Sequence, residues 1–187
     1  MEGGELFQRI QDRAENAFTE REAAEIMREI CKAIRFLHSL NIAHRDVKPE
    51  NLLYTRKDHT GILKLTDFGF AKESYDCHTD TIIMSETFCG TEPYYSPQIV
   101  ARKPYNAFAA DVWAMGVTLF CMLNNKFPFH FGDSKKMLIE QTDRDFIKTR
   151  YVKRFPSDLR NFQEKFFFLS SDSCEQNYFI IVTFFHI

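Results

Sequence analysis

A mainly helical, α+β domain is predicted by three observations. Thr19-Glu20-Arg21-Glu22 carries a capping box, and Ala23, Ile26, Met27, Ile30, Ala33, Ile34 and Leu37 follow it at helical spacing. Ala109 to Leu123 is apolar on nearly every face, with Val112, Trp113, Met115, Leu119 and Phe120, so it belongs at the centre of the core. Asn51-Leu52-Leu53-Tyr54 and Ile62-Leu63-Lys64-Leu65 read as short strands around the turn-rich Asp58-His59-Thr60-Gly61, which predicts a hairpin.

The remaining elements follow in order. Glu5 to about Gln11 reads as a short helix start, and the stripe that begins at Thr19 ends near His38. Glu73 to Pro97 has little periodicity and many hydroxyls, which predicts a long loop of the kind that carries function. Asp133 to Gln141 suggests a helix, and Ser157-Asp158-Leu159-Arg160 begins another that reaches Phe166. From Phe166 the pattern breaks. Residues 166–187 combine apolar runs with little charge, so a poorly ordered, aggregation-prone tail is expected after a domain spanning 1–165.

Composition narrows the function classes. One domain is expected at 187 residues, and a net charge of −2 gives no polybasic signature for nucleic acid or anionic lipid. The cysteines, five and scattered without a C-x-x-C pair, read as reduced thiols in a cytoplasmic or nuclear protein without structural zinc. The longest apolar stretch at the end, Tyr178 to Phe185, is eight residues. A bilayer span needs roughly 20, so no membrane partner is expected.

The chemistry is concentrated in His44-Arg45-Asp46-Val47-Lys48-Pro49-Glu50-Asn51, followed sixteen residues after Asn51 by Asp67-Phe68-Gly69. Asp46 can accept a proton from an attacking hydroxyl, and Asn51 and Asp67 offer hard oxygen ligands suited to Mg²⁺. A hairpin between them brings its outer ends together, so Asn51 and Asp67 can share one metal–phosphate cluster. Lys48 is a point charge placed to meet a moving phosphoryl group.

An H-R-D-x-x-x-x-N loop with D-F-G behind it resembles eukaryotic protein kinases, specifically Ser/Thr kinases of the calmodulin-dependent group. Residues 1–72 resemble a MAP-kinase-activated protein kinase, and residues 87–165 a testis-specific serine kinase. The change near 73–86 suggests a chimeric or joined gene, or one divergent kinase. The resemblance implies the large, mainly helical C-terminal lobe of a protein kinase with two short β-hairpins. It also implies ATP and Mg²⁺ as cofactors, protein Ser/Thr hydroxyls as substrates, and an upstream activating kinase.

By the same resemblance, Thr91 in Cys89-Gly90-Thr91 bonds the catalytic aspartate and lysine, and Asp111 tethers the catalytic loop. Leu53 is the apolar floor of the adenine site. Glu5 and Glu50 meet basic residues upstream of the target hydroxyl, Glu5 also meeting the ribose; solvated surface glutamates are the alternative. Thr87 occupies the activation-loop phosphosite, with Arg45 as the partner of its phosphate. The chain departs from the family pattern in lacking a G-x-G-x-x-G loop and a strand lysine before His44. The small N-terminal lobe is therefore expected to be absent. Ser96-Pro97-Gln98 stands where the family has A-P-E. Two readings follow: a Ser/Thr kinase whose fragment is inactive alone, or a non-catalytic lobe or incomplete gene product.

Overall fold

A computed structural model of the chain describes residues 2–13, 16–58 and 60–152. The helix from Ser157, the 165/166 boundary and the tail lie outside the described residues.

The capping box forms as its spacing predicts. The Thr19 hydroxyl accepts from the Glu22 backbone N–H at 3.3 Å, and the Glu22 carboxylate accepts from the Thr19 N–H at 2.8 Å. Helix α2 (Glu20–Ser39) starts there and buries Ala23, Met27, Ile30, Ile34 and His38. The shorter α1 (Leu6–Gln11) precedes it. Asn106 caps α4 (Ala107–Asn124) through the N–H groups of Phe108 and Ala109, so this helix starts two residues before the apolar run suggests. Within α4, 89% of an 18-residue apolar window is buried inside the fold, which accounts for its hydrophobicity. Helices α2 and α4 pack together, and Trp113 stacks on Phe129 with centroids 5.6 Å apart. Each fully buried large side chain in this core contributes about 1.5–3 kcal/mol.

The predicted hairpin pairs β2 (Leu52–Tyr54) with β3 (Leu63–Leu65), Leu53 opposite Lys64. Asn51 is not in the strand but ends a short 3₁₀ turn, Pro49–Asn51. The segment expected as structureless loop contains more order than its composition suggests. Strand β4 (Lys72–Glu73) pairs with β1 (Ile42–Ala43), and β5 (Tyr75–Asp76) pairs with β6 (Thr81–Ile82) in a second hairpin. Two-residue strands are too short to show alternation. Helix α3 (Pro97–Val100) follows, with Pro at its first position.

Helix α5 (Ser134–Thr142) matches its prediction, with the Asp133 carboxylate accepting from the Lys135 and Lys136 N–H groups. Helix α6 (Arg144–Val152) was not foreseen, because it is short and only Asp143 separates it from α5. It is held by Ile147, which is buried, and by the Asp143 carboxylate, which accepts from the Asp145 and Phe146 N–H groups.

Glu22 also receives both terminal nitrogens of Arg13, at 2.8 and 2.9 Å. That guanidinium, with the Thr19 donors, holds the carboxyl at about 2, below its ordinary 4.5. The folded pKa is depressed, so the stabilisation is complete above pH 4.5 and is lost as pH falls toward about 2. The thermal midpoint should drop across that window, and Glu22→Gln should flatten that part of the profile. Circular dichroism melts at successive pH values check this.

Candidate active site

The loop joining β1 to the 3₁₀ turn is fixed from below by α4. Asp111, fully buried, accepts from the backbone N–H groups of His44 at 2.8 Å and Arg45 at 2.7 Å. The same carboxylate pairs with His38 Nε2 at 2.8 Å. His38 lies four residues after Ile34, on the buried face of α2, and this position is the signal that could have found it. His44, also fully buried, turns Nδ1 toward the Asp46 N–H at 3.3 Å and Nε2 toward the Thr66 carbonyl at 3.0 Å. Those partners require the tautomer with hydrogen on Nε2. Phe68 packs edge-on against the His44 ring at 5.1 Å, which links the two motifs.

On this platform the polar groups converge. Asp46 Oδ1 accepts from the Thr91 hydroxyl at 2.7 Å, and Asp46 Oδ2 lies 2.8 Å from Lys48 Nζ. Lys48 Nζ also donates to Thr91 Oγ1 at 2.7 Å. Asn51 Nδ2 donates to the Asp46 carbonyl at 2.8 Å and to its Oδ2 at 3.1 Å. Asp46, Lys48, Asn51 and Thr91 thus form one network, brought together across residues 46–91. Gly90 makes the approach possible. Its φ is +101°, and a Cβ there would sit 2.7 Å from the Arg45 carbonyl.

Asp67 is positioned through its neighbour. The Thr66 N–H and hydroxyl donate to the Asn51 carbonyl at 2.9 and 3.0 Å, closing the hairpin's outer ends as the spacing implied. Asp67 itself is exposed with φ +60°, and its Oδ1 accepts from the Gly69 N–H at 3.2 Å. A non-glycine residue in this region is strained, as is Arg45 at φ +67°. The donor set fits Mg²⁺. Asn51 commits its amide nitrogen to Asp46 and keeps its amide oxygen, and Asp67 keeps Oδ2. Mg²⁺ is commonly held by one or two such oxygens with water and phosphates completing the octahedron.

The outer positions fall at the rim. Glu5 forms a β-bridge with Leu53, setting both beside the hairpin. Glu50 is half-buried, with the Tyr94 hydroxyl 3.5 Å from its Oε2. Burial pushes its carboxyl up, and the negative charges of Glu5 and Asp46 add to that. Arg45 already has partners. Its Nε donates to the Phe70 carbonyl at 2.6 Å and its Nη1 to the Ser85 hydroxyl at 3.2 Å. Ser85 is buried, with its backbone N–H and carbonyl paired to Tyr105. Thr87, two residues on, is exposed, and its carbonyl accepts from the Tyr105 hydroxyl at 3.0 Å. The sequence did not point to Ser85 or Tyr105 as neighbours of Arg45.

Comparison with known proteins agrees with this geometry. Residues 1–178 match the protein kinase domain. MAP kinase-activated protein kinase 2 of Drosophila melanogaster is 52% identical over 130 residues, 70% of this chain and 34% of that protein. The Homo sapiens protein of the same name is also 52% identical over 130 residues, 70% of this chain and 31% of the relative. Serine/threonine-protein kinase H1 of Homo sapiens is 40% identical over 142 residues, 74% of this chain and 31% of the relative. The chain therefore spans about a third of the length of these curated relatives. A 130-residue match within 187 residues crosses the segment 73–86, so one relative covers both sides of the suspected change of resemblance. Family match, mainly helical fold and the Asp46 network agree: this chain belongs to the protein kinase domain family, with serine/threonine kinases as its relatives.

Proposed function

We propose that this lobe carries the catalytic half of an ATP-dependent protein serine/threonine kinase. The observation that carries the reading is the single network joining Asp46, Lys48, Thr91 and Asn51. Asp46 accepts the proton of a substrate Ser or Thr hydroxyl as its oxygen bonds the γ-phosphorus. The bond from that phosphorus to the β–γ bridging oxygen breaks, and ADP leaves with the electron pair. Lys48 neutralises charge on the moving group, and Thr91 holds carboxylate and ammonium in register. Bound Mg²⁺ supplies charge neutralisation at the phosphates, and Asn51 and Asp67 would hold it. Leu53 floors the adenine, and Glu5 meets the ribose. Glu5 and Glu50 together favour a basic residue upstream of the target. The setting is cytoplasmic or nuclear.

Among the described residues only the lower face of a nucleotide pocket is present, and the chain by itself should be almost inactive. Titration calorimetry should show no saturable Mg-ATP binding at millimolar nucleotide; micromolar affinity would show that Leu53, Glu5 and the metal ligands suffice alone.

Thr87 is the proposed regulatory phosphosite. Thr87 is exposed and lies two residues after Ser85, whose hydroxyl Arg45 bonds, whereas Ser85 is buried and the Thr79 and Thr81 hydroxyls bond each other. A phosphate on Thr87 offers the guanidinium a stronger, bidentate acceptor than the Ser85 hydroxyl. In a two-lobed protein, Thr87→Ala should lower activity more than Thr79→Ala, Thr81→Ala or Ser85→Ala. Mass-spectrometric mapping after treatment with cell extract is the direct check, and phosphate only at Thr79 or Thr81 counts against the assignment.

A further inference from the structure

Arg45 does more than precede the catalytic carboxylate. Its Nε donates to the Phe70 carbonyl at 2.6 Å and its Nη1 to the Ser85 hydroxyl at 3.2 Å. Phe70 and Ser85 stand on either side of the stretch that holds β4, β5 and β6, so one side chain ties both ends of it to the catalytic loop. Both acceptors are neutral. Among the described residues no carboxylate forms an ion pair with this guanidinium.

Ser85 is held in turn by Tyr105. The two form an isolated antiparallel β-bridge, with N–H to carbonyl hydrogen bonds of 2.8 and 3.0 Å in the two directions. They are 2% and 1% exposed. The Tyr105 hydroxyl donates to the Thr87 carbonyl at 3.0 Å, and its ring lies 6.2 Å from that of Phe88. Burial pushes the Tyr105 phenol up, while the Ser85 hydroxyl and the Arg45 guanidinium beside it pull the other way. One residue thus fastens the segment at 85, 87 and 88. Tyr105 leads into α4 through the Asn106 cap, and Asp111 of α4 accepts from the Arg45 N–H. Tyr105, Ser85, Arg45 and Asp111 therefore close a ring of contacts. Gly90 and Thr91, next along the segment, lie against the Arg45 carbonyl and the Asp46 carboxylate. Packing alone would be served by alanine at 85 and phenylalanine at 105. The two hydroxyls are instead committed to the guanidinium and to the Thr87 carbonyl.

We propose that Ser85 and Tyr105 are positioning residues for phosphoryl transfer: with Thr87 unmodified, their hydroxyls latch residues 85–91 to Arg45 and so set Thr91 against Asp46 and Lys48. A phosphate on Thr87 then reinforces an arrangement already formed. In protein that carries this phosphate the threonine matters more; in unmodified protein the order reverses. The latch rests on the phosphoryl-transfer reading for its purpose but not for its existence, which amide exchange reads without substrate.

The first measurement is amide hydrogen exchange on the full chain after phosphatase treatment. The Ser85 and Tyr105 amides should be protected. Ser85→Ala or Tyr105→Phe should speed their exchange about tenfold and leave the amides of α2 unchanged. In an Arg45→Met background, Ser85→Ala should add little. The second measurement is peptide phosphorylation by the phosphatase-treated chain joined behind a kinase small lobe. There Ser85→Ala and Tyr105→Phe should each lower kcat about tenfold, more than Thr87→Ala does, and Ser85→Thr should restore the rate. Unprotected amides in the unmodified wild type, or equal losses with and without the Arg45 side chain, overturn the proposal. So does a joined chain that works only once Thr87 is phosphorylated. If the amides behave as expected but the joined chain transfers no phosphate in any state, the latch stands and the phosphoryl-transfer reading falls.

Discussion

Joined behind the small lobe of a MAP kinase-activated protein kinase 2, the chain should lose about 10²–10⁴-fold in peptide phosphorylation rate on Asp46→Asn. The substitution keeps shape and a hydrogen-bonding oxygen but removes the proton acceptor. It also leaves Lys48 beside a neutral group, although Asp46 Oδ2 and Lys48 Nζ are held 2.8 Å apart in the native site. Asp67→Asn should cost a comparable factor by a different route, loss of the charged metal ligand, and added Mg²⁺ should relieve part of it. The two are separable by steady-state assays over a range of Mg²⁺. Retention of most activity in Asp46→Asn excludes the role assigned to that carboxylate.

Asp111→Ala should be among the most destabilising single changes in the lobe. The carboxylate is 1% exposed and answers His38, the His44 N–H and the Arg45 N–H. Its removal leaves those groups in the interior without that acceptor, which costs about 3–5 kcal/mol. Whole domains are stable by only about 5–15 kcal/mol, so a large share of the fold's stability is at stake. The denaturant midpoint should fall accordingly. Asp111→Asn keeps one oxygen acceptor and should fall less. If the two variants unfold alike, packing rather than the hydrogen bonds fixes the loop.

Much of this arrangement was legible in the sequence, for identifiable reasons. Thr19 and Glu22 announce the start of α2 because a capping box is a local signal, and the stripe from Ala23 continues it. The nearness of Asn51 and Asp67 was legible because one short hairpin, closed by Thr66 on Asn51, sets their separation. The resemblance implied a second hairpin, but the residues did not place β5–β6, since Tyr75–Asp76 and Thr81–Ile82 are each two residues long and its order comes from turn contacts, such as the Asp76 carboxylate accepting from the His78 N–H. The pairing of Arg45 with Ser85 spans 40 residues and joins neutral to charged groups, which no periodicity encodes. Ser96-Pro97 did carry the signature of a helix start, and α3 was missed because it runs only four residues.

The proposed transfer of phosphate from the Asp46 network to protein Ser and Thr hydroxyls can be read directly from the product. Its most direct measurement is phosphoamino-acid analysis with ATP labelled in the γ-phosphate. The chain joined to that small lobe is offered peptides bearing Ser, Thr or Tyr behind an upstream arginine. The small lobe joined to its own large lobe serves as the positive control. Label is expected on phosphoserine and phosphothreonine, none on phosphotyrosine, and a blank for Asp46→Asn. Contradiction would come from an unlabelled wild-type lane beside a labelled control, or from label that persists without the Asp46 carboxylate.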